Sequence, residues 1–175
     1  ILLVTPTPKI ANEIIQDLNF VGQIKLLEFP PLDTLPYYRL SQHLDISFAK
    51  IVTLYRMLSE KTPFIAVAPI KSVLAKVPPR GEFLGKHIEY LHVGEQAPWE
   101  QFVRFLEATG YQRVDLVEDK GTFSLRGNII DLYVPMQEDP VRVEFEDERV
   151  VTIKLFRVES QRSYEPIREL VILPA

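Results

Sequence analysis

The sequence predicts an α/β chain built in two parts, a truncated parallel α/β unit over residues 1–79 and a small α+β domain with an antiparallel sheet over residues 80–175. Three observations carry this. Up to Ala68, apolar strand-like runs alternate with helix-like stripes, as in parallel strand–helix–strand units with right-handed crossovers. From Gln112 onward, strand-like runs follow one another with short connections, which requires antiparallel pairing. Between the two regimes stands Val77-Pro78-Pro79, a natural hinge because proline cannot continue a helix.

In the first part, Ile1 to Val4 is a short apolar run closed by Thr5-Pro6, the pattern of a strand buried on both faces. Ile10, Ile14, Ile15 and Leu18 fall on one helical face. Ile24 to Phe29 reads as a second strand ended by Pro30-Pro31, and Leu32 to Leu44 as a loop rich in proline and tyrosine. Asp45 is placed to cap a helix whose apolar stripe is Phe48, Val52, Tyr55 and Met57. Phe64 to Ala68 is the third strand.

The second part opens with a strand over Ile88 to Val93. Pro98 suits the first turn of a helix that presents Trp99, Phe102, Phe105 and Leu106 on one face, and Gly110 suits its left-handed C-terminal cap. Strands are expected over residues 112–117, 122–125, 128–134, 141–146 and 150–158, with turns at Gly121, Pro135 and Glu146-Asp147-Glu148.

With 46% hydrophobic and 25% charged residues, the chain has the composition of a folded protein rather than a disordered one. It has no cysteine, which excludes disulfides and thiolate metal sites and fits a reducing cytoplasm. No run approaches the roughly eighteen apolar residues of a membrane span, so no membrane association is expected. Because Ile1 lies inside a strand pattern, the chain reads as a piece of a longer protein. The net charge of −4 divides unequally, +2 over residues 1–79 and −6 over residues 80–175. Nucleic-acid affinity needs Lys and Arg to neutralise phosphates, and neither part has that surplus.

The motifs that resemble catalytic machinery fail on physical grounds. Gly81-Glu82-Phe83-Leu84-Gly85-Lys86-His87 has three residues between its glycines where a phosphate loop has four, and His87 where Mg²⁺ needs Ser or Thr. It follows prolines rather than a strand and precedes another strand, so it reads as an ordinary linker. Asp147-Glu148 follows an alternating strand, Val141 to Glu146, and reads as a solvated hairpin turn rather than an ATPase acid pair. His43, His87 and His92 lack ligand spacing and read as surface or structural residues. No cofactor, metal or catalytic residue is expected.

The polar strand positions are more informative. Alternation sends Arg142 and Glu144 away from the core that Val141, Val143 and Phe145 enter, and sets Ser124 and Arg126 opposite Phe123 and Leu125. With Arg113 just beyond the helix, these form an arginine-bearing face suited to docking, because a guanidinium makes bidentate, weakly hydrated contacts. Solvated strand positions are the plainer reading of the same pattern.

Gly110-Tyr111-Gln112-Arg113-Val114-Asp115, then Gly121-Thr122-Phe123-Ser124-Leu125-Arg126-Gly127-Asn128-Ile129-Ile130-Asp131, resembles the domain shared by UvrB and the transcription-repair coupling factors (Mfd). Val141 to Phe145 and the Asp147-Glu148 turn continue the match. Ser160-Gln161-Arg162-Ser163-Tyr164-Glu165 with Leu173-Pro174-Ala175 is similar to the coupling factors more than to UvrB. So are Phe29-Pro30, Asp33-Thr34-Leu35-Pro36-Tyr37, Asp45-Ile46 and Val77-Pro78-Pro79.

The resemblance implies that residues 1–79 are part of a RecA/helicase-like domain without a phosphate loop of its own. It implies that residues 80–175 recruit UvrA, with the last residues free to return to the first domain. It also implies that Arg113, Arg126, Arg142 and Glu144 contact UvrA, whereas Ser124 departs from UvrB, which commonly has arginine there. RNA polymerase and DNA would be engaged by other domains of the intact protein. The expected function is thus a non-catalytic adaptor of transcription-coupled repair. The alternative is a nucleic-acid-binding fragment of a UvrB-type helicase, hinted at only by Tyr37 and Tyr38 beside Arg39.

Overall fold

The structure, a computed structural model, describes residues 1–22, 24–31 and 44–175. Most of the expected proline- and tyrosine-rich loop, with Tyr37, Tyr38, Arg39 and His43, lies outside the described residues. The chain divides into two compact units, Ile1–Pro79 and Arg80–Ala175.

In the first unit, strands β1 (Leu2–Thr5), β2 (Lys25–Glu28) and β3 (Phe64–Pro69) form a parallel sheet in the order β1-β3-β2. Helices α1 (Pro8–Val21), α2 (Leu44–Ser59) and the short α3 (Ile70–Val73) connect or follow them. Thr7 starts α1, its hydroxyl oxygen accepting from the Ile10 amide at 3.3 Å, with Pro8 in the first turn where no amide partner is needed. The central strand is the most buried, through Ala66, Val67 and Ala68. Two expectations are corrected. As an edge strand, β1 turns Leu3 and Thr5 inward and leaves Leu2 and Val4 exposed, so it is not buried on both faces. Leu44, expected to close the loop, opens α2 instead; Asp45 therefore lies inside the first turn, where a carboxylate favours the helix dipole, and is not the cap.

The second unit contains α4 (Arg80–Lys86), β4 (Glu89–His92), α5 (Trp99–Ala108), β5 (Gln112–Arg113), β6 (Thr122–Arg126), β7 (Ile129–Leu132), β8 (Val141–Glu146), β9 (Arg149–Phe156), β10 (Ser163–Ile167) and β11 (Glu169–Ile172). Six strands form one sheet in the order β10-β9-β8-β7-β6-β5, and β11 pairs with β4 in a second. Residues 80–86 are helical and bury Phe83, so the glycine-lysine segment is a short helix and not the expected linker. The strand expected over residues 112–117 shortens to β5, and β5 runs parallel to β6, because residues 114–121 return the chain to the same end of the sheet. Antiparallel pairing holds from β6 to β10. The final residues stay with the second unit: β11 pairs with β4, and the Ala175 amide donates to the Thr109 carbonyl at 2.9 Å.

One face of the six-stranded sheet carries the core. Phe123, Ile130, Leu132, Val141, Val143 and Ile153 meet Phe102 and Leu106 of α5, with Trp99 and Phe105 packed at the margin. Trp99 and Phe102 also pack against Phe145, the former edge-on at 5.3 Å between centroids. Gly110 ends α5 with φ 99°, a conformation glycine adopts without strain, and a Cβ there would stand 2.5 Å from the Ala175 carbonyl oxygen. The hairpin between β8 and β9 turns through Asp147 and Glu148 at positive φ, matching the primed turn that a two-residue connection requires.

Candidate docking face

The face opposite the core is built from the alternate residues of the same strands. Their register aligns two rows across it. One runs Ser124, Asp131, Arg142, Lys154, and the next runs Arg126, Ile129, Glu144, Thr152.

Most of the first row is engaged within the fold. Arg142 donates from Nε to Asp131 Oδ1 at 2.7 Å and from Nη2 to Oδ2 at 2.8 Å, while Nη1 donates to the Gln161 carbonyl at 3.2 Å. Its guanidinium lies 4.9 Å from the centre of the Phe156 ring. The side chain of Asp131 is 1% exposed and that of Arg142 18%. The hydrogen bonds to Asp131 push the Arg142 pKa further up, against the opposing effect of burial. Ser124 is buried, and its hydroxyl has no hydrogen-bond partner among the described residues. Gln161, at φ 56°, donates from its side-chain amide to the carbonyls of Val158 and Val117.

The second row is open. Arg126 is exposed, and its hydrogen bond within the fold is a long one, from Nη2 to the Asp115 carbonyl at 3.4 Å. Glu144 faces Lys154 across the two strands at 3.4 Å, with the side chains 34% and 35% exposed. Ile129, half-buried, lies between Arg126 and Glu144.

Arg113 stands apart. Its register partner is the core residue Phe123, and it follows the buried Tyr111 by two positions, so it leaves the sheet on the side opposite Arg126. The structure therefore puts Arg126 and Glu144 in one row on either side of Ile129, holds Arg142 in an internal ion pair in the next row, and separates Arg113. Asp131 and Lys154 were missed from the sequence. The available signal was their phase: each sits between two apolar inward residues, Ile130 and Leu132 or Ile153 and Leu155, and so shares the face of Arg142.

Among the described residues, no group of three or more His, Asp or Glu is placed to hold a metal ion, and no helix is long and apolar enough to cross a membrane. His92 contacts Glu95 at 2.9 Å and Glu169 at 3.6 Å.

Residues 90–175 match the family model of the UvrB interaction domain. Those residues belong to that family. Both rows of the outer face lie within the UvrB interaction domain. The whole chain is similar to transcription-repair-coupling factors. That of Escherichia coli (strain K12) is 26% identical over 175 residues, covering 100% of this chain and 15% of the relative. That of Mycobacterium tuberculosis is 32% identical over 172 residues, covering 95% of the chain and 14% of the relative. That of Bacillus subtilis (strain 168) is 32% identical over 131 residues, covering 75% of the chain and 11% of the relative. The chain thus spans a small part of the length of the relatives it matches.

Proposed function

We propose that this chain is a non-catalytic adaptor that recruits UvrA in transcription-coupled repair, and that the open end of the outer face, around Arg126, is where UvrA docks. The observation that carries the reading is the state of Arg126: an exposed guanidinium with one long internal contact, at the exposed end of β6 in a domain otherwise rich in acids. Such a group loses little on leaving its own fold and can make bidentate contacts with a partner carboxylate. Glu144 supplies the opposite charge nearby and fixes orientation. Arg142 acts through the fold, holding the strand face in shape, and Arg113 contributes less because its face is different.

Residues 1–79 are read as part of a helicase-like domain, with RNA polymerase and DNA engaged by other parts of the intact, cytoplasmic protein. The nucleic-acid-binding alternative is disfavoured by the −6 charge of residues 80–175.

The test is a UvrA titration of Arg126→Glu alongside a melting curve. A contact at the centre of an interface is worth about 2 kcal/mol or more, so affinity is expected to fall by more than about tenfold. Like charge against an acidic partner surface deepens that loss. Unchanged affinity in the folded variant would remove Arg126 from the site.

A further inference from the structure

On the other side of the domain, a cavity of about 290 Å³ opens between β4 and the first turns of α5. Its lining includes Glu89, Gln96, Pro98, Gln101, Phe102 and Phe105. Glu89 is the one charged group there among the described residues. Two positions before the buried Leu91, it shares that residue's phase and points toward the margin of the core. No hydrogen bond or ion pair engages its carboxylate among the described residues. Partial burial raises its pKa above the ordinary 4.5, as expected for a carboxylate that loses some of its water without a compensating partner. A charge so placed is mildly unfavourable for folding alone, because part of its hydration is lost and nothing replaces it.

We infer that this notch receives an arginine side chain presented by a partner polypeptide. The volume lies at the bottom of the range for small-molecule sites, which begins at roughly 300 Å³, and so suits one side-chain head rather than a nucleotide. Glu89 pairs with the guanidinium, the side-chain carbonyl oxygens of Gln96 and Gln101 accept its remaining N–H groups, and the rings of Phe102 and Phe105 offer a face to the planar cation. Arginine fits better than lysine because its fork is planar and less strongly hydrated. The net charge of −6 over residues 80–175 favours approach of a basic partner. The notch shares no residue with the Arg126 face, so this inference stands or falls separately from UvrA docking.

The probe is Nα-acetyl-arginine-N-methylamide, titrated into the 175-residue chain while the side-chain amide signals of Gln96 and Gln101 are followed by NMR. Saturable shifts at both amides are expected, weaker with the capped lysine analogue, and weakened about tenfold or more by Glu89→Gln. The Glu89→Gln variant should melt at or above the wild-type temperature at neutral pH, because it removes an uncompensated charge. Absence of saturable shifts in the wild type, equal shifts in the variant, or a lower melting temperature for the variant would each overturn the inference.

Discussion

Arg126 and Arg142 occupy adjacent rows of one sheet face, yet one is exposed with a single long contact and the other is clamped by three hydrogen bonds beside a buried carboxylate. The difference lies in their neighbours. Arg142 is aligned with Asp131, whereas Arg126 is aligned with Ile129, which offers no charge. Two arginines that look alike in an alternating strand therefore stand in different environments, one clamped within the fold and one left exposed.

The comparison can be broken most sharply at Asp131. Asp131→Ala leaves the Arg142 charge partly buried without its partner, and such a break typically destabilises by about 3 kcal/mol. Urea unfolding measures this, and a loss below about 1 kcal/mol would mean that the pair is not what holds the face. Asp131→Leu combined with Arg142→Met should recover most of the stability, since apolar replacement of a buried pair is often neutral. If that double variant keeps UvrA affinity, Arg142 is structural; if affinity falls as in Arg126→Glu, the two arginines share the docking.

Smaller effects sharpen the contrast. Arg126→Ala should change stability by less than about 0.5 kcal/mol, as exposed strand positions usually do. Lys154→Ala should cost about 0.5 kcal/mol, because its pair with Glu144 is partly exposed and screened by water.

Glu89 gives a pH test. Its folded pKa is raised, so the folded state holds its proton more tightly than the unfolded one. Its contribution to stability is present at acid pH and lost as pH rises from 4.5 through the folded value, whereas Glu89→Gln should lack that loss. Thermal melts of both proteins across this window measure the difference. Glu60 has the opposite sign: hydrogen bonds from Lys25 and Thr62 lower its pKa to about 2, so its contribution is present above 4.5 and lost as pH falls toward 2. Because the Lys25–Glu60 pair lies at the surface, where water and salt screen it, Glu60 should give the smallest change. It would be read as a slight flattening of the acid limb in Glu60→Gln.

Much of the fold was legible because its causes are local. The alternation of Val141 to Glu146, the helical stripe of α5 and the glycine after Thr109 each follow from side-chain period or backbone conformation, which neighbouring residues determine. The Asp147-Glu148 turn is of the same kind. Other features depend on residues far apart in the chain. The parallel pairing of β5 with β6, the edge exposure of β1 and the pairing of β11 with β4 are set by which strands meet. The proposed docking face shows the same division. Its outward phase is readable without coordinates, since alternation is a property of each strand. Which arginine remains available depends on the folded sheet, because a charge is released or neutralised by the groups that register places beside it.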